Sequence, residues 1–149
     1  MPEFAPRQGH ERSNGEAERT VQAVQGLARI LKDSLAQKSG MQLDERSPVL
    51  AWLVEHAGNL LTLLRKGADG HTALYRLRCK PWKRAVLQFG ECIDFRQKTP
   101  SKMHDKYRPG VFLGLKLDST ELIVADKDGV YLISDYLRVC KNTSLMQTC

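Results

Sequence analysis

The feature that most constrains the fold is a change of hydrophobic period midway along the chain. Ala17, Val21, Val24, Ala28, Leu31 and Leu35 recur at alternating spacings of four and three, the stripe of one amphipathic helix. Ser13-Asn14-Gly15, with Glu16 three residues after Ser13, reads as cap and turn chemistry at its start, and Ser39-Gly40 closes it. A helix is therefore expected over 16–38, with Glu18 in its first turn. Ser47-Pro48 opens a second helix, 47–65, whose stripe Leu50, Leu53, Val54, Ala57, Leu60, Leu61 and Leu64 is broad enough to bury on more than one side. After the Asp69-Gly70 turn, a short third helix fits Thr72 to Arg78. Beyond Trp82 the period falls to two. Glu91–Arg96 alternates, Gly110–Leu115 and Glu121–Ala125 are short apolar runs, and Asp128-Gly129 turns into Val130–Ile133, with Leu137-Arg138-Val139 beyond. Short strands between such turns predict a small antiparallel barrel or sheet. Helices followed by strands give an α+β fold, the two parts joined near 79–88. Residues 1–12 read as a disordered lead-in, 13–79 as helical, 80–141 as the β module and 142–149 as a tail.

The chain's 149 residues, 42% hydrophobic and 27% charged, suit one ordinary domain or two very small ones and exclude the disordered and fibrous classes. No apolar stretch is long enough to span a bilayer, and the first residues lack a secretory signal, so an intracellular protein of nucleus or cytoplasm is expected, not a secreted one. Cys79, Cys92, Cys140 and Cys149 form no C-x-x-C pair and no ligand spacing with the histidines, so they read as free thiols. His56, beside the stripe of the second helix, reads as a hydrogen-bonded packing residue, and Cys79 and Cys92 as small buried hydrophobes.

The net charge of +6 lies entirely in the second half, since residues 1–70 balance. Between Arg76 and Arg108, ten basic residues face three acidic ones, a local +7. Such a field attracts polyanions, nucleic acid foremost. Lys80, Lys83, Arg84, Arg96, Lys98, Lys102, Lys106 and Arg108, with Trp82 and Tyr107 among them, suit phosphate contact with some stacking. No base-reading motif is evident, so sequence-tolerant binding is expected. Trp82 is weighed toward core packing, and Tyr107 toward packing ahead of Pro109-Gly110. On the first helix, Glu18 shares a face with Gln22, Gln25, Arg29 and Lys32, a face able to ligate a divalent metal and track a phosphate backbone, though an acidic first turn also simply complements the helix dipole.

Several segments in order carry a family resemblance. Ser13-Asn14-Gly15-Glu16-Ala17-Glu18-Arg19 and the residues to Arg29 resemble the last catalytic motif of retrotransposon integrases. Leu50–Ala57 continues the match. Asp69–Arg78 is similar to the "DG+TxYxRLRG" segment of copia-like polyproteins, and Phe89-Gly90-Glu91 with Lys102 to Gly114 resembles the "FGE…K…W.PG.FLG" stretch after their catalytic core. The resemblance spans roughly 10–140. It implies the tail of a ribonuclease H-like core followed by an SH3-like barrel that holds DNA, with Glu18 at the third carboxylate position of a site binding two Mg or Mn ions. The 17 residues before Glu18 contain neither an aspartate nor a strand-like run, and the family's zinc-binding module is absent. One carboxylate cannot position two metals, so the resemblance implies integrase descent with no cofactor and no strand-transfer activity for these 149 residues alone. Two other readings stand beside it. The chain is a protein-interaction module that self-associates through exposed helix faces, or it is a decayed reading frame.

Overall fold

The structure, a computed structural model, describes residues 9–40, 42–96, 103 and 106–138. Of the expected lead-in 1–12, residues 1–8 lie outside them, as does the tail 142–149, whereas 9–12 belong to the first helix. Helix α1 runs Gly9–Ser39, so the expected cap is corrected: Ser13-Asn14-Gly15 lies inside the helix and Glu18 in its third turn. A glycine in a helix interior costs only about 0.5–1 kcal/mol relative to alanine, too little to stop a run otherwise rich in helix formers. The expected end holds. Gly40 takes φ +67° and donates its N–H to the Ala36 carbonyl at 2.9 Å. Helix α2 spans Pro48–Leu64, and α3 spans Ala73–Arg78, where the Thr72 hydroxyl caps the helix by accepting the Tyr75 N–H at 3.2 Å.

The strands are β1 (Cys92–Arg96), β2 (Tyr107–Leu115), β3 (Leu122–Asp126), β4 (Gly129–Ile133) and β5 (Tyr136–Arg138). They form one antiparallel sheet in the order β4-β3-β2-β1-β5. β4 and β5 are opposite edges, yet only Ser134 and Asp135 connect them. In a flat sheet those edges would lie four strand spacings apart, about 19 Å, whereas three Cα steps reach about 11 Å. The sheet is therefore rolled. Among the described residues no ladder joins β4 to β5, so the roll stays open on that side.

Each face of the sheet has its own filling. Inside the roll, Phe112, Leu115, Leu122, Val124, Ile93, Phe95 and Ile133 pack with Leu63, Leu74 and Leu87, and Trp82 leans against them. On the outer face, Leu113 and Ile123, with Val111 and Ala125, meet Leu53 and Ala57 of α2 and Val24, Leu27, Ala28, Leu31 and Leu35 of α1. A register shift between Phe112 and Gly114 leaves two residues of β2 opposite Ile123, and so lets Phe112 and Leu115 point inward together. The Asn59 side chain donates to the Leu115 carbonyl at 2.9 Å and fixes α2 on β2.

Much of the helix faces that the self-association reading expects to lie bare is covered by each other and by this sheet, while Val54 and Leu64 of the α2 stripe stay 44% and 62% exposed. The α1 stripe does outrun its support, since Ala17 is exposed and Val21 is 54% exposed. Both fillings also cross the expected division between 13–79 and 80–141.

Candidate nucleic-acid interface

Several of the expected phosphate-binding residues are used internally. The Arg84 guanidinium donates to the carbonyls of Thr120 and Ser134, tying the β2–β3 turn to the β4–β5 connection. Arg108 pairs with Asp126 and Asp128 across the β3–β4 hairpin. Its guanidinium carbon stands 5.8 Å and 5.9 Å from the ring centroids of Phe95 and Tyr131, which stack on each other at 5.7 Å. The hydrogen bond to Asp128 raises the Arg108 pKa further. Asp126 is itself fixed, its Oδ1 accepting the backbone N–H groups of Asp128 at 2.7 Å and Gly129 at 3.1 Å. Arg96 lies 3.8 Å from Asp135, an exposed pair worth little. Arg84 and Arg108 thus both have partners within the chain, Arg84 on carbonyls and Arg108 on carboxylates. Lys98 and Lys102 lie outside the described residues. Tyr107 is 40% exposed at the start of β2, opposite Arg96, instead of packed.

The cations left open converge elsewhere. Arg78, Lys80 and Lys83 border a depression of about 620 Å³ with Leu74, Pro81, Trp82, Arg84 and Thr120. On the far side of Pro81, Trp82 and Arg84 a second depression, about 360 Å³, includes Lys66, His71 and Tyr75. Lys66, Arg78, Lys80 and Lys83 are exposed and have no ion-pair partner among the described residues. His71 stacks on Tyr75 at 4.6 Å and 12°, giving this ridge a flat aromatic flank.

The loop before α3 is fixed by Asp69, which accepts from Arg76 Nε at 2.9 Å and Nη2 at 2.5 Å and from the His71 N–H at 3.2 Å. The Arg76 contact, then that N–H, holds the Asp69 carboxyl below its ordinary pKa. A Cβ on Gly67 would sit 1.9 Å from Arg76 Nη2, so a side chain there would displace the guanidinium from Asp69. Arg76 is therefore also spent on structure. Trp82 packs on the inner filling, as weighed. Sequence reading missed Lys66 and His71 because both flank the basic segment, and only the fold of the 65–72 loop brings them to Trp82.

Lys106 is exposed beside a third depression, about 880 Å³, lined by Phe95, Arg96, Arg108, Tyr131, Glu121 and Asp135 among others, where both signs of charge mix. Arg29 is exposed and Lys32 half-buried on α1, whose packing residues all belong to the outer filling, whereas Trp82 and Leu74 belong to the inner one.

Glu18 is exposed on α1 and has no ion-pair or hydrogen-bond partner among the described residues. Among those residues no three His, Cys, Asp or Glu side chains gather where they could hold a metal ion. A two-metal site does not fit the donor set described.

His56 is buried to 1% exposure, edge-on to Phe112 at 5.3 Å and tilted on Phe89 at 5.8 Å, where the two fillings meet. It packs as expected, but neither ring nitrogen has a hydrogen-bond partner among the described residues. Burial lowers its pKa to about 4. Cys92 is half-buried, whereas Cys79 is exposed, against expectation, because it occupies the left-handed end of α3.

Comparison of the chain with protein-family models, with curated proteins and with solved structures finds no match. Among the described residues no helix is long and apolar enough to cross a membrane.

Proposed function

We propose that the chain is a sequence-tolerant nucleic-acid-binding module of retroelement-integrase descent. The observation that carries the binding is the set of open cations, Lys66, Arg78, Lys80 and Lys83, around the Pro81–Trp82 ridge, where Arg84, held on two backbone carbonyls, adds its charge, while Arg108 is paired with carboxylates. Unpaired cations flanking an aromatic ridge suit a phosphate backbone, and nothing in the ridge reads base edges. The descent rests on the ordered motifs of the sequence. The rolled sheet, with β5 beside β1, has the strand order of an SH3-like barrel left open on one side, which supports the same reading.

The test is DNA affinity against salt. About four neutralised phosphates give a log–log slope of about −4, and Lys80→Ala with Lys83→Ala reduces its magnitude by about 2. Lys106→Ala changes it by less than the ridge pair does. A slope near zero in the full chain removes the proposal.

A further inference from the structure

His71 is held in the open as a flat platform. The loop before α3 grips its backbone on both sides, since Asp69 Oδ1 accepts its N–H at 3.2 Å and the Gly67 N–H donates to its carbonyl at 2.9 Å. A bridge between Lys66 and Thr72 closes the loop around it. Its imidazole is exposed, and the half-buried Tyr75 ring covers one face at 4.6 Å and 12°. Among the described residues no second ring stacks on the other face. The platform lines the depression of about 360 Å³, whose wall is otherwise largely apolar, with Leu63, Pro81, Trp82 and Val86, and whose charged members, Lys66 and Arg84, are both cations. Pro81, Trp82 and Arg84 also line the neighbouring depression, which carries Arg78, Lys80 and Lys83. Among the described residues no carboxylate lines either one.

We propose that the His71 depression takes one unpaired nucleobase of a single-stranded nucleic acid, stacked on the face of His71 that Tyr75 leaves open, while the phosphates of the same strand lie on Lys66, Arg78, Lys80 and Lys83. The inference rests on the nucleic-acid reading above and names the form of nucleic acid that the ridge prefers. A flat, anchored ring beside a row of cations matches a strand that alternates planar bases with anionic phosphates. A duplex keeps the faces of its bases on one another, so only an unpaired or extruded base offers a face to the cleft, and extruding one costs stacking and pairing. Stacking reads no base edge, so the preference for single strands leaves sequence tolerance intact. The two backbone bonds of His71 fix the platform in advance, so little ordering is left to do on binding.

Isothermal titration calorimetry of the full chain tests it with an unlabelled oligothymidylate of about 12 nucleotides, an abasic strand with the same phosphates, and a blunt duplex. The thymidylate strand is expected to bind about tenfold tighter than the abasic strand, and both give a log–log salt slope of about −3 for four phosphates. His71→Ala removes that advantage but leaves the abasic affinity, the duplex affinity and the melting temperature near those of the parent, because both anchoring bonds belong to the backbone. His71→Phe keeps a flat ring and holds thymidylate affinity to within about threefold of the parent. Equal affinity for thymidylate and abasic strands, with the slope retained, overturns the base pocket and spares the phosphate-binding reading. A thymidylate advantage that survives His71→Ala also overturns it. Loss of the slope for every strand removes both.

Discussion

His56 makes the fold sensitive to mild acid. The imidazole is enclosed by Phe89 and Phe112 with no partner for either nitrogen among the described residues, and burial sets its pKa at about 4 against 6.5 for the free side chain. The folded state resists the proton that the unfolded state accepts. Stability is therefore intact above about pH 6.5, falls as the pH drops toward the folded value, and levels off below about pH 4. At about 1.4 kcal/mol per pKa unit, the full loss is roughly 3 kcal/mol, of which about 2 kcal/mol has gone by pH 5. A small domain has about 5–15 kcal/mol in all, so the effect is large.

Urea unfolding, followed by the fluorescence of Trp52 and Trp82 at several pH values from neutral to about 5, measures it in the parent and in His56→Leu. Leucine is close in volume and has nothing to protonate, so subtracting its profile isolates the histidine. The variant should hold its stability across this window where the parent loses about 2 kcal/mol, and at neutral pH it should gain about 1 kcal/mol from removing unsatisfied nitrogens. Parallel pH profiles for the two proteins would refute the reasoning.

Three further outcomes follow from local geometry. Cys79 ends α3 at φ +53°, a conformation that costs a non-glycine residue about 1 kcal/mol, so Cys79→Gly should raise the urea midpoint by a corresponding amount. Gly110→Ala should destabilise by at least about 1–3 kcal/mol, read as a lower melting temperature, because the new Cβ would meet Val124 Cγ1 at 2.6 Å and Phe95 Cε1 at 2.8 Å. Arg84→Met should lower the melting temperature by releasing the turn at Thr120 and the connection at Ser134, at about 1.5–3 kcal/mol per charged hydrogen bond, and, because Arg84 also lines both depressions beside Trp82, should reduce the magnitude of the salt slope of DNA binding by no more than about 1.

Much of the architecture was legible in the sequence for physical reasons. Helix α2, the short helix α3 and the turn into β4 act through near neighbours, and the structure places these three elements within a residue or two of where the pattern does. The start of α1 was not legible, because Ser-Asn-Gly offers cap chemistry that a continuous helix can override. The uninterrupted apolar run of β2 gave no clue to which residues face which way. It is covered on both faces, by the rolled interior and by the helices, so alternation is lost.

The candidate site was half legible. Charge counting found the basic segment, but whether an arginine is open depends on acceptors far away in sequence. Arg84 finds its carbonyls 36 and 50 residues on, and Arg108 reaches Asp128 20 residues on. Spacing along the chain carries no trace of those pairings.

The brevity of β5 has a kinetic consequence. It holds to β1 through three residue pairs, the most distant in sequence being Ile93 with Arg138, whereas β1 to β4 join successive neighbours. The ends of a long loop must meet before those three pairs return anything, so β5 docks late in folding, after the hairpins have zipped. By the same imbalance it is the first strand to peel, and Phe95 and Tyr136 meet water while the helices still grip the other side of the sheet.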